Sequence, residues 1–174
     1  MMKRREAVKF LSLAAGAFLA PNFSREAWGQ ESAVGGLSAA QEALLAEVAD
    51  VIIPTTDTPG AKAAGVERFI LRVVSDCFTK EEQDSFYAGL RKFEAECQSK
   101  LGAPYGELSS EKKVDFLKTF AAQNRSFFSK LKQLTVTGYF TSEIGATQAL
   151  AYLPIPGRFQ GSVPMEPGQK TWAL

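Results

Sequence analysis

The 174-residue chain contains no histidine and only two cysteines, Cys77 and Cys97. Without histidine, neither Ser-His nor Cys-His catalysis can operate, and no histidine-ligated metal site can form. Two cysteines are too few for the four thiolates of an iron–sulfur cluster, and no Cys-x-x-Cys-His sequence is present to attach haem. A Gly-x-Gly-x-x-Gly dinucleotide motif is missing as well. We therefore expect a chain that is not an enzyme by itself and that holds no cofactor or metal of its own.

The chain also has little net charge and no long apolar run. The chain has 20 lysines and arginines against 19 aspartates and glutamates. No basic stripe is visible, so nucleic acid is not expected as a partner. The most apolar run, residues 10–20, has about eleven residues, whereas a membrane-spanning helix needs about twenty. We therefore expect contact with a membrane only through a larger complex or through an uncleaved N-terminal segment.

Residues 1–29 have the pattern of an export signal. A basic start that includes Arg4 and Arg5 precedes the apolar run, and a small-residue exit follows at residues 27–29. The adjacent arginines are typical of the twin-arginine route, which carries proteins that are already folded. The alternative is an ordinary secretory signal whose basic region happens to contain two arginines. The pattern predicts a periplasmic protein exported by the twin-arginine pathway.

The remaining sequence predicts helices. Residues 30–37 are rich in glycine and serine and predict a flexible lead-in. From Ser38 to residue 151, apolar residues recur at three- and four-residue spacing, and no stretch alternates with the period of two that strands require. We therefore predict an all-α fold, a single helical domain over residues 38–151 with about five to six helices. The predicted helices begin at Ser38, Val66, Thr79, Ser109 or Ser110, Ser126 and Ser142. The fifth of them is predicted to end at about Val136.

Particular side chains mark the predicted helix boundaries. Ser38 with Gln41, and Thr79 with Glu82, form capping-box patterns at the starts of the first and third helices. Pro54 and Gly102 predict where these two helices end. The predicted core-facing residues are Leu44, Leu45, Val48, Val51, Ile52, Val66, Phe69, Ile70, Val73, Val74, Cys77, Phe86, Leu90, Phe93, Cys97, Leu101, Val114, Leu117, Phe120, Ala121, Phe127, Phe128, Leu131 and Leu134.

The two cysteines could pair, because an exported protein meets an oxidising compartment. In an unbroken third helix, however, Cys97 would lie about 27 Å from the turn beside Cys77, at 1.5 Å per residue. A disulfide needs Cα atoms within about 7 Å. Both residues lie on apolar stripes, so we predict separate buried thiols. An internal disulfide across a break near Gly89, or a bond to a partner, are the alternatives.

Residues 152–174 differ in character and predict an extended arm rich in proline and glycine. They include four of the eight prolines of the chain, which favour an extended path. They also keep aromatic and aliphatic groups that a disordered tail would normally lack. Two interpretations stay open: the arm folds back over its own helices, or it lies across a partner with aromatic anchors. The candidate interface residues on the arm are Tyr152, Pro154, Pro156, Phe159 and Trp172.

Three passages have distinctive sequences: PTTDTPGAKAAGV at residues 54–66, GYFTSEIGA at residues 138–146 and PIPGRFQG at residues 154–161. Taken in this order and together with the twin-arginine start, they resemble the gluconate 2-dehydrogenase subunit 3 family. The members of this family are the small gamma subunits of periplasmic sugar dehydrogenases. The likeness covers nearly the whole chain, and the ordered combination of passages is more specific than any single one.

The resemblance implies a non-catalytic subunit of a heteromeric complex. Its partner would be a large FAD-containing catalytic subunit of the glucose–methanol–choline oxidoreductase family, bound as a 1:1 pair, that oxidises a sugar, a sugar acid or a glycoside. A multihaem cytochrome c is often the electron acceptor in such complexes, so haem c or an iron–sulfur cluster would lie elsewhere in the complex. The small subunit would support the folding, stability and export of the flavoprotein.

Four residues of the first two passages are further candidates for the partner interface: Asp57, Pro59, Gly60 and Tyr139. For the loop, the alternative is a simple linker between two helices. For Tyr139, the alternative is a place in the core. The competing function for the whole chain is a stand-alone helical periplasmic module that binds a small molecule, which would need a pocket with convergent polar groups.

Overall fold

The computed structural model describes residues 38–153, 155, 157–158, 162, 164–165 and 167–172. In this part of the chain there is no strand, and none of the helices is both long and apolar enough to cross a membrane. The predicted all-α fold is confirmed. The α-helices are α1 (Ala39–Ile52), α2 (Val66–Cys77), α3 (Lys80–Leu101), α4 (Ser110–Gln123) and α5 (Arg125–Phe140). A 3-10 turn (Tyr105–Glu107) precedes α4, and a π-helix (Gly145–Ala149) follows α5.

The helix starts lie where local side-chain chemistry predicts them. Ser38 and Gln41 form the capping box of α1, in which each side chain accepts a hydrogen bond from the backbone N–H of the other residue. Thr79 and Glu82 form the same arrangement at α3. Ser109 occupies the predicted N-cap position of α4, although its side chain makes no capping hydrogen bond. These boundaries are confirmed. Each one depends on residues that are close in sequence, so the sequence alone could predict it.

Helix α5 continues beyond its predicted end at Val136. It passes through Gly138 and ends at Phe140, although glycine lowers the stability of a helix interior by about 1 kcal/mol relative to alanine. Packing explains why glycine occupies this position, since a Cβ at position 138 would lie 2.6 Å from a ring carbon of Phe69 on α2. Glycine therefore allows α2 and α5 to approach each other, and the burial of the adjacent Tyr139 favours continued helix.

The centre of the core is aromatic. The ring of Phe93 on α3 meets the rings of Tyr105, Phe116 and Phe120 at centroid distances of 5.0, 5.1 and 4.9 Å. The interplanar angles of 70–77° are edge-to-face contacts, which place the positive edge of one ring on the negative face of another. Aliphatic side chains buried around this cluster are Leu45, Val48, Ile70, Val74, Leu90 and Leu131.

Three residues predicted to face the core are exposed instead: Cys77, Leu101 and Val114. Cys77 and Leu101 are the last residues of α2 and α3, where each helix leaves its neighbours. On α4, the buried face is centred on Phe116, Leu117 and Phe120, so Val114 falls outside it. The apolar spacing identified the correct faces but extended them too far.

The two cysteines are not joined in an internal disulfide, so the prediction of separate thiols is confirmed against that alternative, and a bond to a partner stays the other one. The predicted burial is correct for Cys97 and wrong for Cys77. The Cys97 thiol donates to the Ala103 carbonyl oxygen at 3.6 Å, and burial raises the pKa of this thiol.

Glu47 of α1 joins two further parts of the chain. Its carboxylate accepts hydrogen bonds from Lys62 Nζ at 2.5 Å and from Lys113 Nζ at 2.6 Å. Lys62 belongs to the loop before α2, and Lys113 belongs to α4. The hydrogen bond from Lys113, followed by that from Lys62, lowers the pKa of the Glu47 carboxyl. The ion pair between Lys113 and Glu47 is largely buried, since the two side chains are 14% and 22% exposed.

Glu47→Gln is expected to lower the free energy of unfolding by about 2 kcal/mol at pH 7, because Lys113 loses a charged hydrogen-bond partner. The folded-state pKa of Glu47 lies below its ordinary value of 4.5. The carboxylate therefore contributes its full stabilisation above that ordinary pKa and loses it as the pH falls through the folded-state pKa. Urea denaturation should show the two proteins converging in stability as the pH is lowered.

The matched control is Glu94→Gln on the exposed side of α3, which should change the free energy of unfolding by less than about 0.5 kcal/mol. A gap between wild type and Glu47→Gln that stays constant into the acidic range would contradict the role given to the carboxylate.

Candidate protein-interaction surface

Residues 54–66 and 138–146, two of the three distinctive passages, meet at Tyr139. The Tyr139 hydroxyl donates a hydrogen bond to the Pro59 carbonyl oxygen at 2.8 Å and lies 3.3 Å from the Thr58 hydroxyl. The residue is only 2% exposed, so this contact fastens α5 to the loop from inside the domain. Tyr139 therefore belongs to the core of this chain, and contact between its side chain and a partner stays a prediction.

Glycines occur where the backbone around Tyr139 is most crowded. A Cβ at Gly145 would lie 1.9 Å from the Tyr139 carbonyl oxygen, and one at Gly60 would lie 2.6 Å from the Thr55 amide nitrogen. Real Cβ atoms do not approach backbone atoms this closely. The Gly60 N–H also donates to the Thr55 hydroxyl at 2.9 Å, which closes the loop on itself. These glycines therefore serve the close packing of the loop and of the turn after α5.

The loop candidates differ in how they meet solvent. Asp57 is exposed, Pro59 is half-buried and Gly60 is buried. The Asp57 carboxylate accepts a hydrogen bond from the Thr56 hydroxyl at 2.8 Å. This hydrogen bond is the largest cause that lowers the pKa of the Asp57 carboxyl, and the positive charge of Lys170 adds a smaller effect. The C-terminal segment that contains Lys170 therefore lies near the loop.

An open groove lies between the end of α5, the π-helix and the returning C-terminal segment. Two hydrogen bonds hold that segment: the Ala151 N–H donates to the Thr171 carbonyl oxygen at 2.8 Å, and Lys170 Nζ donates to the Gln148 carbonyl oxygen. The groove has a volume of about 830 Å³. Its apolar lining residues are Phe140, Ala146, Leu150, Tyr152 and Trp172.

Three aromatic rings dominate this groove and remain open to solvent. Tyr152 and Trp172 are 56% and 57% exposed, and Phe140 is 38% exposed. The Phe140 ring packs edge-on against the Tyr139 ring at a centroid distance of 5.2 Å, so the wall of the groove rests on the buried contact with the loop. Grouped exposed apolar side chains commonly mark a binding surface. The structure thus brings together Tyr152 and Trp172, two of the predicted interface residues.

The polar groups of the groove are mostly engaged within the chain. Thr141, Ser142 and Thr147 each donate the hydroxyl proton to a backbone carbonyl oxygen three or four residues earlier, at 2.6–2.7 Å. Glu143 is the one charged residue among the described residues that line the groove. Within the described ranges, no group of three or more histidines, cysteines, aspartates or glutamates is arranged to hold a metal ion.

Five predicted functional residues lie outside the residues that the structure describes. They are the arginines of the export signal, Arg4 and Arg5, and three interface candidates on the arm, Pro154, Pro156 and Phe159. Their roles stay predictions.

Phe140 and Glu143 line the groove but were not among the predicted interface residues. A pattern in the sequence could have identified them, because Phe140, Glu143 and Thr147 are spaced by three and four residues. On a helical path this spacing places side chains on one face. The predicted end of α5 at Val136 hid this relation.

A family model described as gluconate 2-dehydrogenase subunit 3 matches residues 39–157 of the chain. The match begins with α1 and extends over α1 to α5, both passages that meet at Tyr139 and most of the groove. Searches of curated proteins and of solved structures returned no match.

Tyr139→Phe should lower the free energy of unfolding by about 1 kcal/mol, because the Pro59 carbonyl oxygen loses its donor while the ring is kept. Amide hydrogen exchange in residues 55–61 should become faster, since the loop loses its attachment to α5. Chemical denaturation and exchange measured by mass spectrometry test both effects.

Tyr152→Phe is the matched control because it removes a hydroxyl from an exposed tyrosine, and it should change stability by less than about 0.5 kcal/mol. Equal effects of the two substitutions would argue against the attachment of the loop through Tyr139.

Proposed function

The chain belongs to the gluconate 2-dehydrogenase subunit 3 family, and from this premise we propose that it is the non-catalytic accessory subunit of an FAD-dependent sugar dehydrogenase. Membership implies a dehydrogenase complex that also contains a catalytic partner. The proposal specifies that partner as a flavoprotein of the glucose–methanol–choline family, which oxidises a sugar, a glycoside or gluconate. This chain binds the flavoprotein as a 1:1 pair and supports its folding and stability.

The observation that carries the binding role is the aromatic groove. Tyr152 and Trp172 leave more than half of their surfaces exposed on a segment that is hydrogen-bonded to the π-helix. Tryptophan and tyrosine are enriched among the residues that dominate binding energy at protein interfaces, because a rigid ring buries much area with few rotatable bonds. We assign the groove and the adjoining arm to the interface with the flavoprotein.

The division of chemistry follows from the residues that this chain has. With no histidine and two cysteines, it offers binding surface rather than a site for redox chemistry. FAD is assigned to the catalytic partner, where it would supply the redox chemistry of sugar oxidation. Haem c of a cytochrome c, or an iron–sulfur cluster, would lie elsewhere in the complex.

The N-terminal sequence supports a further role in export. Arg4 and Arg5 fit the twin-arginine pathway, which moves folded proteins. A flavoprotein that has already bound its cofactor and this chain could therefore leave the cytoplasm with it. In this proposal the complex works in the periplasm and the small subunit carries the export signal.

Combined replacement Tyr152→Ala and Trp172→Ala should raise the Kd for the flavoprotein by at least about 30-fold, since interface aromatics of this kind contribute about 2 kcal/mol or more. Deletion of residues 152–174 should release the flavoprotein altogether. Co-purification from cells that express both subunits, followed by titration of the purified proteins, measures both effects.

Leu101→Ala serves as the control for this interface, because Leu101 is as exposed as Phe140 but lies at the end of α3. Its Kd should equal that of wild type. Undiminished co-purification after the deletion and after the double replacement would exclude the groove and the arm as the interface.

Replacement of the arginine pair, Arg4→Lys with Arg5→Lys, should leave the flavoprotein in the cytoplasm, because the twin-arginine machinery recognises the paired guanidinium groups. Fractionation with a dehydrogenase assay on each compartment provides the measurement. Lys3→Arg keeps both the pair and the charge and should export normally. Normal export of the flavoprotein with the double lysine variant would refute the escort role.

A further inference from the structure

We propose that the groove binds an apolar segment of the catalytic subunit that carries an arginine, and that this arginine pairs with Glu143. The inference rests on the proposed function, because it specifies the chemistry that the partner brings to the same surface. Three features of the groove support it: an unpaired carboxylate, hydroxyl groups that offer only acceptor capacity, and exposed aromatic faces.

The Glu143 carboxylate lacks a cation within the described part of the chain. The partly buried Glu47, in contrast, is paired with Lys62 and Lys113 at 2.5 and 2.6 Å, whereas Glu143 is exposed. Lys170 of the C-terminal segment is not among the residues that line the groove; its Nζ donates to the Gln148 carbonyl oxygen, and its charge acts on Asp57. The charge of Glu143 is therefore available to a partner.

The charge of Glu143 affects binding when a partner segment covers the groove. Glu143 follows Phe140 by three residues, and both line the groove together with Trp172 of the C-terminal segment. A partner segment that covers these rings also removes water from the carboxylate. Removal of an ionised carboxylate from water is strongly unfavourable unless a cation and hydrogen-bond donors replace the water. A stable apolar occupant must therefore bring a positive charge to Glu143.

The hydrogen-bonding state of the groove favours a donor-rich partner. Thr141, Ser142 and Thr147 have already donated their hydroxyl protons to the backbone, so their oxygens can only accept further hydrogen bonds; the Ser142 oxygen already accepts one from the Gly145 N–H at 3.1 Å. The carboxylate of Glu143 is likewise an acceptor. Anionic and acceptor-rich surfaces complement a segment whose side chain supplies several N–H groups.

Arginine meets these conditions better than lysine. Its planar guanidinium has five N–H donors, forms bidentate hydrogen bonds with carboxylates and stacks on aromatic faces. Tyr152 and Trp172 supply such faces in the same groove as Glu143, and a cation over an aromatic ring gains further stabilisation. The ammonium group of lysine is more strongly hydrated and has no planar face to stack.

The test uses the full chain co-expressed with the catalytic subunit. Glu143→Gln should raise the Kd by about 10- to 100-fold, because one partner of a covered charge pair is removed. Glu143→Arg should raise it further, since two like charges would then face each other. Cross-linking to this groove should identify the arginine of the catalytic subunit. Replacement of that arginine by glutamate, combined with Glu143→Arg in this chain, should restore binding because the charge pair is re-formed in the opposite sense.

Controls separate the charge pair from general damage. Glu111→Gln alters another exposed glutamate, which lies in the first turn of α4, and should bind as wild type does. The Tm of the Glu143→Gln chain alone should match that of wild type, because the carboxylate has no partner in the described part of the chain. Binding of the wild-type pair should weaken with added salt more steeply than binding of Glu143→Gln.

The outcomes distinguish the two proposals. A large loss of binding with Trp172→Ala but none with Glu143→Gln would overturn the arginine pairing and leave the accessory role standing. Absence of any complex between the wild-type chain and the flavoprotein would overturn the proposed function itself. Saturable binding of a sugar, or self-association of this chain, that Glu143→Gln abolishes would assign the groove to a different occupant and overturn the inference.

Discussion

The hydrogen bond from the Tyr139 hydroxyl to the Pro59 carbonyl oxygen connects the features on which the candidate surface depends. It pairs a buried polar group that would otherwise be left without water. On one side of Tyr139 the loop is held in place, and on the other side the Phe140 ring begins the groove. The close approach of Gly145 to the Tyr139 backbone sets the direction in which the chain continues into the π-helix. A core contact thereby supports an exposed surface.

The loop between α1 and α2 is attached at two points, which makes it more than a linker. Pro59 is held by Tyr139, and Lys62 is held by Glu47. Glu47 of α1 also accepts a hydrogen bond from Lys113 of α4. Through this carboxylate the loop is joined to α1 directly and to α4 indirectly. A charged hydrogen bond at Lys62 and a neutral one at Pro59 thus hold one short segment at two separate places. The distinctive composition of this passage accordingly has a structural explanation before any contact with a partner is considered.

The sequence predicted those features that depend on nearby residues and missed those that depend on distant ones. The capping boxes at Ser38 and Thr79 were correct because each involves residues three positions apart. Cys77 was misjudged because apolar spacing does not reveal where a helix leaves its neighbours. The continuation of α5 through Gly138 depends on Phe69 of another helix. The groove itself depends on the Ala151 contact with the C-terminal segment, which leaves no local pattern.

The exposure of Trp172 gives the groove an intrinsic spectroscopic reporter. The only other tryptophan of the chain is Trp28, which lies inside the predicted export signal, so a processed chain would have a single indole. An indole in contact with water fluoresces at longer wavelength than one enclosed by apolar atoms. Occupation of the groove would therefore appear as a blue shift of the emission, without any label attached to the protein.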